Sequence, residues 1–460
     1  MKKYLFILGL VGTALFTACS TADDLTAEEP NMTPSVEDTK EAALIVEASQ
    51  NSEVPVTLGV GQSRGNTRAP IGGESGNPAY ESFHTEAGKY IGVFCLATGY
   101  QSSYTSNPPI ANNWTDNDGT GLIVRMKNVP ATVFDDGTVA FYNHARTSGQ
   151  NYYYPMGDWM KYNFYAYYPW QDEELDGNTL VFKNNRVLEK YYDIDGSQDI
   201  IWGVARPEEA EAVSPAATDA DPYCAKYIRM KRKEVGEANI ANHYPKLKFE
   251  HKLVQFRFFV KAAKATDEET DHTIRNNLTN LNAQVTDMYI GNAINRLMVV
   301  VADQSSVNNT DGTLYWFGNT LNTKKLGIKA NGVDTDRFPG TAIPEDGDTD
   351  GHPDWVDAIN VASDSPVGYI MLAPPTVRGV NYPDVENNHV YQLYLKVQYD
   401  NGSGSTETNL VTLSLNPPSG GFIAGKIYNI IVNVQSPEKI TVKAVLQQWE
   451  SGSTIEYGND

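Results

Sequence analysis

Positive charge, cysteine and long apolar runs are all scarce. The 460 residues include 36 Lys+Arg against 57 Asp+Glu, a formal net charge of −21. That balance argues against a basic groove for a phosphate backbone, so no nucleic-acid partner is expected. Three cysteines are too few for a disulfide framework or a Cys-rich zinc site. Beyond the N-terminus no stretch holds 18 consecutive apolar residues, so no later transmembrane helix is expected. Seven histidines (His84, His144, His243, His251, His272, His352 and His389) are scattered. No H-E-x-x-H pair, P-loop or dinucleotide fingerprint is present. No acid, base and nucleophile cluster, so no catalytic activity is expected.

What is abundant points to β structure. Aromatics make up 11%, with 27 Tyr, alongside 37 Gly and 24 Pro. The length predicts two domains. Short extended stretches recur, among them Tyr90 to Phe94, Thr138 to Tyr142, Lys161 to Trp170 and Leu247 to Val260. After a charged stretch from Ala262 to Arg275 they resume, at Leu297 to Val301, Tyr369 to Leu372, Tyr391 to Tyr399 and Thr408 to Leu415. Strands at this spacing, separated by turn formers, predict an all-β fold of two sandwiches. The division is expected as residues 69–262 and 275–435, followed by a C-terminal strand and tail over 436–460.

The N-terminus reads as an address. Lys2 and Lys3 precede an apolar run from Tyr4 to Phe16, too short for a permanent span and suited to a signal peptide over 1–18. It ends Phe16-Thr17-Ala18-Cys19, which resembles a bacterial lipobox with Cys19 as the lipidated residue. The alternative is an ordinary signal peptide with an incidental cysteine. Asp23 and Asp24 follow, resembling a surface-export signal.

Residues 19–68 read as a propeptide: a polar tether, then a strand, then a polar loop. In Val54-Pro55-Val56-Thr57-Leu58-Gly59-Val60 the residues Val54, Val56, Leu58 and Val60 alternate and face one side. Pro55 lacks an N–H, which predicts an edge position. The loop that follows holds Arg64 and Arg68. Such loops are where proteases cut, although a plain linker has the same composition. Arg68 is the preferred point because small Ala69 and a new run follow it; Arg64 is the fallback.

The order of these features resembles the fimbrillin family, the pilins of type V pili. The resemblance rests on the lipobox cysteine, the arginine loop, Phe164-Tyr165-Ala166-Tyr167-Tyr168-Pro169, Asp199-Ile200-Ile201-Trp202, Phe249-Glu250-His251-Lys252-Leu253, Phe422 to Ile430 and Trp449. It spans nearly the whole chain. It implies two transthyretin-like sandwiches and an outer-membrane lipoprotein precursor. It also implies cleavage after an arginine, release of the early strand, and polymerisation with other pilin subunits by donor-strand exchange.

The residues supply a candidate donor. Ile440, Val442, Ala444 and Leu446 alternate like the early strand, while Thr441 and Lys443 face away. A sandwich missing an edge strand exposes backbone groups and an apolar cleft that an added strand satisfies. The alternative is that this strand completes its own sandwich.

Three further features have two readings each. Cys95 and Cys224 are either a disulfide or two buried thiols. The tyrosines and tryptophans Tyr152, Tyr153, Tyr154, Trp159, Tyr162, Tyr165, Tyr167, Tyr168 and Trp170 serve as core, or as flat surfaces for sugars. Residues 346–357 carry acidic groups at loop positions 1, 3, 5, 9 and 12 with Gly351 at 6, the spacing of an EF-hand-like loop. Asp346, Asp348, Asp350 and Asp357, with the His352 carbonyl, would hold calcium; the other reading is an acidic surface loop. No cofactor is otherwise required. The function expected is a fimbrial stalk or adaptor subunit at the cell surface, its receptor undefined by the sequence. The alternatives are a tip adhesin of the same pilus and a surface glycan-binding lipoprotein.

Overall fold

The structure is a computed structural model. It describes residues 54–60, most of 85–100, 126–206, 223–262 and 273–303, then 310–317, 323–330, 341–342, 367–379 and most of 390–446. Among them strands dominate, so the chain is all-β. A helix, Ala225–Val235, begins at Cys224, whose Sγ accepts the Tyr227 N–H, and ends at Gly236 with φ 77°.

Four larger sheets enclose two cores. In the first, a seven-stranded sheet runs Gly59–Val60, Lys246–His251, Ile201–Ala205, Met160–Tyr168, Ile91–Tyr100, Val129–Val133, Val139–Phe141. A second sheet runs Arg378–Gly379, Leu314–Trp316, Arg296–Asp303, Val187–Asp193, Leu180–Lys183. Both contribute to one cluster, in which Val93, Phe164 and Leu247 meet Leu188, Leu297 and Val299. Alternation explains the orientation. In Lys246–His251 the residues Leu247, Phe249 and His251 are buried, while Lys246 is exposed and Lys248 and Glu250 are half-buried. Gly203 lets the Phe249 ring lie on the neighbouring strand, since a Cβ there would stand 2.5 Å from Cδ1.

The second core lies between the sheet Lys329–Ala330, Gly368–Leu372, Val254–Ala262, Ile427–Ser436, Lys439–Leu446 and the sheet Thr323–Gly327, Gln284–Ile294, Gln392–Asp400, Thr406–Ser414. Ile427–Ser436 is buried along most of its length and has a partner strand on each side.

This arrangement corrects the expected boundaries. Val254–Ala262, assigned to the 69–262 unit, belongs to the second core. Arg296–Asp303, Leu314–Trp316 and Arg378–Gly379, assigned to 275–435, complete the first. Pairing distant in sequence overrides the local drop in apolar content: Val254–Ala262 runs parallel to Ile427–Ser436 from Gln255↔Ile427 onward. The chain therefore crosses between cores repeatedly. One crossing is only Lys252-Leu253, and another is Asn295 alone.

Candidate functional site: the seat of the early strand

The early segment lies where its alternation predicts. Val54, Val56 and Leu58 are buried at 1%, 7% and 2% exposure, and half-buried Val60 packs on the same cluster. Burial of each large side chain contributes about 1.5–3 kcal/mol. Val54 and Pro55 pair antiparallel with Tyr154 and Tyr153, and the Val56 N–H donates to the Tyr152 carbonyl at 2.8 Å.

At its far end the segment departs from the edge position that Pro55 predicts. Gly59 and Val60 run parallel to Lys246 and Leu247, and the Gly59 N–H donates to the Pro245 carbonyl at 3.0 Å. On the other side the Val60 N–H donates to the Gly137 carbonyl at 2.8 Å, and Gly59 bridges Thr138. Thr138 directly precedes Val139–Phe141, the opposite end of the seven-stranded sheet. Gly59–Val60 thus acts as the closing stave between the two ends of one sheet. Asp136 braces the corner, accepting at Oδ1 the Thr138 hydroxyl at 2.6 Å and backbone N–H at 2.9 Å. Those bonds hold its carboxyl below the ordinary value of 3.8.

One polar group of the seat is unsatisfied. Among the described residues the buried Tyr154 hydroxyl has no hydrogen-bond partner. Burial first, with Cys95 and Cys224 nearby, pushes its phenol well above the ordinary range. Both cysteines are buried and unbridged, and burial raises the Cys95 thiol as well.

The candidate donor lies in the second core. Lys439–Leu446 forms the edge of its sheet and pairs antiparallel with Ile427–Ser436, from Tyr428↔Leu446 to Ser436↔Lys439. Ile440 and Ala444 are buried in the cluster, and Val442 and Leu446 pack against it. Val445 is buried on the opposite face. In this single chain the strand sits in its own sandwich, and the structure does not bring it to the early seat.

Cys19, Arg64, Arg68 and Ala69 lie outside the described residues, as does the acidic loop with Asp346, Asp348, Asp350, His352 and Asp357. Among the described residues no group of three or more His, Cys, Asp or Glu is placed to hold a metal. His251 is a buried, hydrogen-bonded core histidine, its Nδ1 at 2.5 Å from Asp199 Oδ2. Of the aromatic cluster, Tyr152, Tyr154, Tyr162, Tyr165, Tyr167 and Tyr168 are buried, while Tyr153 and Trp170 are half-buried and Trp159 is outside the described residues. Sequence reasoning missed Gly137, Thr138 and Pro245. They contact Gly59 and Val60 across long chain separations, and no local motif announces them.

No family model matches the chain, and no curated protein matches it. Solved structures similar to it are fimbrial or candidate cell adhesion proteins. One is a candidate cell adhesion protein from Bacteroides uniformis, 14% identical, with 87% of this chain and 100% of that one covered at a TM-score of 0.39. Another is the tip fimbrial protein Mfa3 of Porphyromonas gingivalis with a C-terminal truncation, 9% identical, covering 86% and 100% at 0.31. A third is the fimbrial anchor protein Mfa2 of the same organism, 9% identical, covering 88% and 100% at 0.29.

Proposed function

We propose that this chain is a structural subunit of a cell-surface fimbria, a stalk or adaptor pilin without catalytic activity, built of two transthyretin-like sandwiches. Its precursor is a lipoprotein anchored through Cys19 in the outer membrane. Cleavage after Arg68, or Arg64, frees Val54–Val60, and Ile440–Leu446 of another subunit takes the vacated seat. The observation that carries this reading is the seat itself. Leaving it uncovers an apolar cleft under Val54, Val56 and Leu58 and opens the seam between Lys246–His251 and the Gly137–Thr138 corner. Backbone groups and cleft together define a slot for one added strand of period two. The arginine loop begins immediately after the segment.

The full pairing of Lys439–Leu446 with its own sheet favours a second reading, a tip subunit or surface glycan-binding lipoprotein that keeps its last strand. Electron microscopy of the protein after treatment with an arginine-specific protease separates the two. Fibres support the pilin; a cleaved, folded monomer under polymerising conditions overturns the donor role.

A further inference from the structure

We infer that the surface around Arg146 binds a carboxylate-bearing sugar, a uronic or comparable acidic residue of a glycan. Phe141 is followed by a tight hairpin whose residues His144 to Gln150 are all exposed. The hairpin is held by its own bonds. The Asn143 side chain accepts the Thr147 N–H at 2.9 Å and donates to Thr147 Oγ1 at 2.9 Å, and the Arg146 N–H donates to the Asn143 carbonyl at 2.8 Å. None of these bonds needs the Arg146 side chain. Yet Arg146 sits at φ 59°, in the left-handed region that disfavours a residue with a Cβ. The turn imposes that conformation, and a glycine would adopt it at lower cost.

That side chain lies over aromatic rings. Its guanidinium carbon is 4.9 Å from the Trp170 ring centroid and 5.9 Å from that of Tyr90. Tyr90 in turn makes edge contacts with Tyr142 at 5.4 Å and Trp170 at 6.3 Å. All three rings are half-buried and so reach the surface. Trp170 is fixed from beneath, its Nε1–H donating to the carbonyl of buried Asn128 at 3.0 Å and its backbone N–H to the Tyr90 carbonyl at 2.9 Å. Trp170 is therefore held in place by two hydrogen bonds before any ligand arrives.

Charge completes the case. In this acidic chain Arg206, Arg232 and Arg296 each pair with a carboxylate, of Asp311, Glu237 and Asp193. Among the described residues Arg146 has rings for side-chain neighbours and no carboxylate, which leaves its guanidinium fork for a carboxylate from outside. A fork beside exposed aromatic faces matches a sugar acid: the carboxylate takes the N–H groups, and the apolar C–H face of the pyranose lies on a ring. The site does not depend on polymerisation.

The test uses the uncleaved full chain, with tryptophan fluorescence and calorimetry reading titrations of a uronic-acid trisaccharide, its neutral hexose counterpart and acetate. Saturable binding of the acidic sugar is expected, with the neutral sugar and acetate at least about tenfold weaker. Arg146→Gly relieves the left-handed strain, so its melting temperature should hold or rise while acidic-sugar affinity falls about tenfold or more. Trp170→Phe should remove most of the fluorescence response. Equal binding of the neutral sugar, retained affinity in Arg146→Gly, or no binding in the millimolar range overturns the proposal. A lowered melting temperature in Arg146→Gly with no sugar binding would show Arg146 to be a loop clasp. Fibre formation is read separately, so failure here leaves the pilin reading where it stands.

Discussion

Two short strands with the same alternation are held in opposite ways. Val54–Val60 is held by its side chains and by backbone bonds at its two ends, and the hydroxyl of its pairing partner Tyr154 is unsatisfied among the described residues. Lys439–Leu446 is held by a ladder along its whole length as well as by the second core. The comparison shows that apolar pattern alone does not measure how firmly a strand is seated. A ladder bond contributes about 1 kcal/mol net, so a strand with few of them is the weaker competitor once its covalent tether is cut. On the proposed pilin reading, the firmly seated strand would have to be peeled from an edge, which its position permits.

The largest way to break this comparison is to keep the tether. Arg64→Ala with Arg68→Ala should leave a monomer of precursor length after protease treatment, with fibre yield near zero by electron microscopy and denaturing gels. Next in size is Val442→Asp with Leu446→Asp. Placing carboxylates against an apolar cleft costs several kcal/mol each, so cut but unpolymerised subunits are expected, with the first core intact by hydrogen exchange. If the second core instead melts in the monomer, the strand cannot leave its own sandwich without loss of the fold, and the stalk assignment gives way.

A smaller change sharpens the contrast. Tyr154→Phe removes the buried hydroxyl that lacks a partner, so the early seat should gain about 1–2 kcal/mol in urea denaturation, and strand release after cleavage should slow. The smallest effect concerns Asp136. Its carboxyl is depressed in the folded state, so its contribution is present above the unfolded value near 3.8 and is lost as pH falls through the folded value. Asp136→Asn should flatten the acid limb of a melting-temperature profile. An unchanged profile would mean that the corner does not help close the sheet.

Much of the site was legible. Val54 to Val60 declares its buried face by alternation and lies against the first core; Ile440 to Leu446 follows the pattern only in part, with Ile440 and Ala444 buried, Val442 and Leu446 half-buried, and Val445 buried on the other face. The interleaving of the sandwiches was not legible. Lys252-Leu253 sits within one continuous β-rich stretch, and Asn295 looks like any turn residue, so neither marks a passage between cores. The apolar-poor stretch from Ala262 onward looked like a boundary, because composition reports local burial while sheet membership is decided by partners such as Ile427–Ser436. The closing corner at Gly137–Thr138 escaped notice for the same reason.

The repeated crossings have a mechanical consequence. In a protein whose domains hang on one linker, a pull is transmitted through that linker alone. Here the first core owns strands from both halves of the chain, and the passages at Lys252-Leu253 and Asn295 have almost no slack. Tension applied across the chain would be divided between at least these two short passages, each ending in strands embedded in a sheet. Extension would then require shearing whole ladders together, so the chain should behave as one stiff link, with little of the give that a flexible tether provides.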